Sequence, residues 1–215
     1  FTLAAVPALM WQRVPVLLER YAVRAPEVEI RLVDPPPWAA LDMLEQGTAD
    51  AAAILVSRPE QVMERYRASY DVIDWGPVPL VAAVPSGLFE PGTALSAPRL
   101  ASHPLLVPRR TPALPSLPEA IDDYLTTGAF TPQSVRTVET IQTALPLVAA
   151  GLGIALIPDP SGHVRVGIEL HPVIPEAEPM RALVLTRIDA RRNAALARLI
   201  DTIGATATSP GTAAP

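Results

Sequence analysis

The chain has no cysteine, which excludes disulfides, thiolate metal sites and a cysteine nucleophile. It also has no lysine: all 17 basic residues are arginine, against 22 acidic ones, for a net charge of −5. That balance argues against a nucleic-acid grip built from these residues. The three histidines, His103, His163 and His171, stand singly, without metal-ligand spacing. Aromatics are scarce, and Trp11, Trp38 and Trp75 read as core or interface residues. No run approaches the roughly 18 apolar residues needed to cross a bilayer. Nucleophile elbows, zinc-protease signatures, phosphate-binding Gly-Lys-Ser/Thr loops and paired acids with a base are missing. Asp122-Asp123 reads as the solvated side of a helix. No catalytic residue, metal or cofactor is therefore expected.

What is present is a globular composition. The chain is 49% hydrophobic and 18% charged over 215 residues, enough for two modest lobes. The most informative stretch is Thr140 to Pro158, TIQTALPLVAAGLGIALIP. It reads as an apolar helix capped by Thr140, stopped by Gly151, and followed by a wholly apolar strand over Gly153 to Ile157. Gly151-x-Gly153 is a partial dinucleotide fingerprint, but a phosphate loop follows a strand and opens a helix, and here the helix comes first.

The remaining chain supplies more such pieces. Strands are expected at Phe1 to Val6, Val28 to Leu32 and the buried run after Asp50. Helices are expected from Ala8 to Arg24, kinked or restarted at Pro15, and from the three prolines 35 to 37 as far as Gly47. This βαβαβ opening predicts a parallel sheet. Arg65 to Trp75 is expected as a strand leaving the first lobe, and Pro77 to Val84 as the entry to the second. Pro85 to Pro98 reads as loop. A strand at Leu105 to Val107 follows, then a helix over 116 to 127 with a Ser116/Glu119 capping box and a Gly128 stop, and a strand at Ser134 to Val138. Val164 to Leu170 is a further strand candidate, residues 172 to 179 cross back, and Arg181 to Ile188 and Ala190 to Ile203 form a last strand and helix. The domain reading is 1–76 with 175–204, 77–174, and a disordered tail at 205–215.

VETIQTAL and LVAAGLGIALIP resemble the effector-binding domain of LysR-type transcriptional regulators. The likeness extends through VPALMWQRVPVLLERYAVRAPEVEIRL, LDMLEQGTADAAAIL, PLVAAVPSG, ELHPV and RALVLTR, in the family's order. The resemblance implies an α/β fold of the type 2 periplasmic-binding-protein kind: two Rossmann-like subdomains, two crossover strands, and a cleft that takes a small effector. It also implies a homodimer or tetramer, paired through the Ala8 and Thr140 helices, and DNA contact only through a winged helix-turn-helix absent from these residues. The chain begins at Phe1 inside a strand, as expected of a segment trimmed upstream. No signal peptide is visible, which with the missing cysteine suits the cytoplasm and no membrane partner; a transport-type solute-binding protein is the alternative.

In such a fold effectors lie at the carboxyl ends of parallel strands and at helix amino ends. The candidate effector residues are Pro7, Ala8, Leu9, Val56, Ser57, Arg109, Arg110, Thr111, Thr140 and Ile141. Resembling proteins usually carry Ser or Thr where Ala8 stands, which leaves the amides of Ala8 and Leu9 and favours an apolar or aromatic effector alongside a carboxylate. Arg109 and Arg110 could bind an anion or simply be solvated, and Thr140 could serve the effector or only its own helix.

Overall fold

Ala51–Val56, strand β3, is AAAILV, and every residue in it is buried. Alanines on one stretch and branched residues on the next let helices approach both faces of the sheet built around it. The structure, a computed structural model, describes residues 1–11, 13–111, 114–160 and 166–207. It divides into two compact units, Phe1–Pro77 with Arg181–Pro215 and Val78–Met180. The second changeover thus falls at Met180/Arg181, later than the expected 175, because residues 173–174 pair within the second unit.

In the first unit, β1 (Thr2–Ala5) runs parallel to both β2 (Arg31–Val33) and β3. The sheet order is β2-β1-β3-β12-β4, with β4 at Tyr70–Val78 and β12 at Met180–Arg187, the latter antiparallel to β3. Strand β2 is shorter and later than the expected 28–32, since Val28 is tied into a turn by its amide bond to the Ala25 carbonyl, 3.1 Å.

The expected Ala8 to Arg24 helix is two pieces. A five-residue 3-10 segment, Pro7–Trp11, precedes α1 at Arg13–Arg24. Pro15 sits in the first turn of α1, where its missing N–H costs no intrahelical bond. Val14, Leu17 and Tyr21 face inward at spacings of three and four, and the Tyr21 hydroxyl donates to the Ala195 carbonyl, 2.9 Å. Helix α2 (Pro37–Glu45) opens on a proline and buries Ala40, Leu41 and Leu44.

Helix α3 (Pro59–Tyr66) was not expected, and its last two residues fall where a strand was expected; only Val62 and Tyr66 are buried, so its apolar stripe is one turn wide. After a 3-10 turn at Ala190–Arg192, helix α7 runs Ala194–Ala207. It runs past Ile203, where the helix was expected to end, through residues 205–207 of the expected tail, because buried Thr202 and Ile203 still anchor that turn. Residues 208–215 of the expected tail lie outside the described residues.

In the second unit, β5 (Leu80–Pro85) is flanked antiparallel by β9 (Ala155–Pro158) and β10 (Ile168–His171). The segment read as loop before residue 98 holds β6 (Leu95–Ser96), which pairs with β11 (Val173–Ile174), and the start of α4 (Ala97–Ala101). Strand β7 (Pro104–Pro108) runs parallel to β8 (Ser134–Val138). The expected Val164 strand begins at Ile168; residues 164–165 lie outside the described residues.

Helix α5 (Leu117–Thr127) opens with the Glu119 carboxylate accepting from the Ser116 amide, 2.8 Å. Helix α6 (Ile141–Ala149) ends as read, with Gly151 at φ 74° donating its amide to the Val148 carbonyl, 2.8 Å. Regular pairing of the following strand begins at Ala155 rather than Gly153. An ideal Cβ on Gly153 would lie 2.6 Å from the Pro104 carbonyl oxygen, so the two backbones meet there too closely for a side chain. Among the described residues no helix is long and apolar enough to cross a membrane.

Candidate functional site

Parallel pairing brings the candidate residues into two groups, one in each unit. In the first, the Val6 amide donates to the Ala53 carbonyl, 2.9 Å, so the chain leaves β1 beside the carboxyl end of β3. Pro7 and Ala8 are half-buried there. Leu9 does not offer what was expected of it. Its amide already donates to the Val6 carbonyl, 2.9 Å, and its side chain is core, 2% exposed. Val56 is also core, fully buried and paired with Arg181 in the strand register. Ser57 is half-buried, and its hydroxyl oxygen is buried without a hydrogen-bond partner.

In the second unit the Arg109 amide donates to the Val138 carbonyl, 2.8 Å, which places the β7 exit beside the start of α6. The Arg109 guanidinium stands 3.7 Å from the Glu139 carboxylate, with both side chains exposed. Arg110 faces Glu119 at 3.5 Å and donates to Asp122, so Asp122 is an ion-pair partner rather than a merely solvated acid. These pairings commit Arg110 to the surface of α5. Thr140 caps α6, its hydroxyl accepting from the Thr143 amide, 3.3 Å, and lying 3.2 Å from the Thr143 hydroxyl. Ile141 is buried at the core side of that first turn.

Two polar atoms in this second group lack partners: the Thr111 hydroxyl oxygen and the Gln142 side-chain nitrogen, both buried. Sequence reasoning missed Gln142, because a polar residue in a first helical turn usually faces water. The available signal was its place in the first helical turn, two residues after the N-cap.

A second polar constellation sits where the chain changes unit. Arg13 donates to the Trp75 carbonyl and to the Pro77 carbonyl, with its guanidinium 5.9 Å from the Trp75 ring centroid. Burial lowers the Arg13 pKa, as does the positive charge of Arg181, while Asp74 partly offsets them. Asp74 accepts from Arg181 and from the Gly76 amide. Burial pushes the Asp74 carboxyl up, but these hydrogen bonds and the charges of Arg181 and Arg13 outweigh it and hold its pKa below the ordinary value.

Of the histidines, His171 is buried with Nδ1 2.8 Å from the Thr93 carbonyl, and His103 packs edge-on against Phe89. His163 lies outside the described residues. Trp75 is core, while Trp11 and Trp38 are half-buried. Among the described residues no group of three or more His, Cys, Asp or Glu could hold a metal ion.

A family model described as LysR substrate binding domain matches residues 1–208. A curated relative, the HTH-type transcriptional regulator IlvR of Caulobacter vibrioides, is 29% identical over 157 residues, 73% of this chain and 51% of the relative. The chain thus spans about half the length of that relative. The BenM effector-binding domain with its effector benzoate superposes with a TM-score of 0.74 at 20% identity, covering 98% of this chain and 95% of that one. CbnR, a LysR family transcriptional regulator, gives 0.78 at 19% identity, covering 94% and 68%. These likenesses establish the fold as that of LysR effector-binding domains, of the type 2 periplasmic-binding-protein kind. The chain belongs to the LysR substrate-binding domain family.

Proposed function

We propose that this chain senses a small organic effector for a LysR-type transcriptional regulator, and that DNA is contacted only by other parts of the whole protein. One observation carries the assignment of residues. Of six buried side-chain polar atoms without a partner among the described residues, three sit at the carboxyl edges of the parallel strands: the Ser57 hydroxyl, the Thr111 hydroxyl and the Gln142 amide. An unpaired buried polar group costs about 1–3 kcal/mol, and a ligand that supplies the missing bonds recovers it.

In this reading the polar groups offered to an effector are Ser57 in the first unit, and Thr111 and Gln142 in the second. Pro7, Ala8, Leu9 and Val56 surround the first of these, and Arg109, Ile141 and Thr140, at the amino end of α6, surround the other two. The effector carries a carboxylate, an apolar or aromatic body, or both. Copies of the chain pair through α1, where Val16 and Val23 stand 39% and 82% exposed, and through α6. Signalling is then a shift of population between conformations that bind the effector unequally, passed through the oligomer. The domain performs no catalysis and works in the cytoplasm.

The test is a thermal-shift screen of small carboxylates and aromatics. A true effector at 100 times its dissociation constant stabilises by about 2.7 kcal/mol. Gln142→Ala and Ser57→Ala should each weaken that response while leaving the unliganded melting temperature unchanged or raised. An effector whose binding ignores both substitutions overturns the residue assignment. Light scattering that finds a strict monomer at high concentration overturns the pairing.

A further inference from the structure

The first unit carries a recess at the opposite end of β3 from Ser57. It is a groove of about 460 Å³, within the range of small-molecule sites. Six residues of extended strand put roughly 20 Å between the two ends. Ala49, Ala190 and Leu196, all buried, give the groove an apolar floor. Arg187 and Arg192 line it from β12 and the 3-10 turn after it, with Asp50 and Asp189 on the same walls. A smaller recess of about 360 Å³, bounded by Ser69 and Tyr70, continues from it past Arg187 and Asp189.

The charges in this groove are left open. Elsewhere Arg67, Arg109, Arg110, Arg181, Arg191 and Arg198 each face a carboxylate. The guanidinium groups of Arg187 and Arg192 have no hydrogen bond or ion pair among the described residues, although two acids share their groove. Asp50 is turned to the strand instead, accepting from the Thr2 amide at 2.7 Å. The Arg187 guanidinium lies near Gly47, 2.7 Å from where a Cβ would stand.

We infer that this groove binds a small organic acid, its carboxylate taken by Arg187 and Arg192 and its apolar body laid on Ala49, Ala190 and Leu196. Two guanidinium groups in reach of one carboxylate make charge-assisted bonds that water replaces poorly. The inference stands apart from the effector residues at the carboxyl edges and does not depend on them.

The experiment is an amide-resolved NMR titration of the chain with cyclohexanecarboxylate, with cyclohexanemethanol as the uncharged control and ionic strength held constant. Saturable shifts at Gly47, Asp189 and Asn193 with the acid, and none with the alcohol, are the expected result. Arg187→Gln and Arg192→Gln should each weaken the affinity about tenfold or more, while the unliganded spectrum stays folded. Shifts that stay linear to the highest concentration overturn the proposal. So do saturable shifts that survive both substitutions, equal shifts with the alcohol, or shifts confined to the Ser57 end of the unit.

Discussion

The two units solve one topological problem with different materials. In the first, β2-β1-β3-β12-β4 is a continuous sheet, with β3 parallel to β1 and antiparallel to β12. In the second, the equivalent order β8-β7-β9-β5-β10 exists only because a single residue closes it. The Leu106 amide donates to the Ile154 carbonyl, 2.8 Å, and the Ile154 amide to the Pro104 carbonyl, 2.9 Å. One sheet is held by a buried central strand and the other by a seam at Gly153-Ile154. Continuity spreads the cohesion over six residues, whereas a seam concentrates it in one.

Substitutions can break or sharpen that contrast. Ile54→Ala removes a fully buried side chain from the middle of β3 and should cost about 2–5 kcal/mol, read by chemical denaturation. Hydrogen exchange should show lost protection across the whole first-unit sheet. Gly153→Ala drives a methyl to 2.6 Å from the Pro104 oxygen and 3.2 Å from the Leu106 side chain, for about 1–3 kcal/mol. Its exchange signature should stay local, at Leu106 and Ile154; loss spread evenly over the second unit would deny the seam.

Arg13→Gln strips the guanidinium bonds from the Trp75 and Pro77 carbonyls and should cost about 1–2 kcal/mol, seen as faster exchange and easier proteolysis around β4. Thr140→Ala deletes a cap in the second unit for about 1 kcal/mol. The smallest effect is acid sensitivity. Because the folded-state pKa of Asp74 is lowered, its contribution is present above the ordinary value of 3.8 and fades as pH falls through the still lower folded value. Asp74→Asn should abolish that part of the acid transition in a urea-midpoint series below pH 4.

Much of this was legible from residue order. The run AAAILV, the Gly151 stop and the Ser116/Glu119 start each carry a local reason strong enough to survive tertiary context. Helix α3 was not legible, because its buried pair, Val62 and Tyr66, lies among Glu60, Glu64 and Arg65 and resembles solvated chain. For the candidate site, sequence located strand ends but not which way their side chains turn. Val56 and Leu9 point into the core, while Ser57, one residue further on, is left with an unpaired hydroxyl. Arg110 looked available because its partners, Glu119 and Asp122, come from the next helix and meet it only once α5 has docked.

Strand β12 has a consequence for biosynthesis. The ribosome delivers β3 more than a hundred residues before the strand that occupies its open edge. The second unit is one uninterrupted stretch and can close while the first still waits for its fifth strand to be made. Through that interval the nascent chain exposes an unpaired row of alanine and branched residues, the kind of edge that recruits other strands. Pausing or truncating translation before residue 180 should therefore yield material that aggregates through its amino-terminal third, not through its middle.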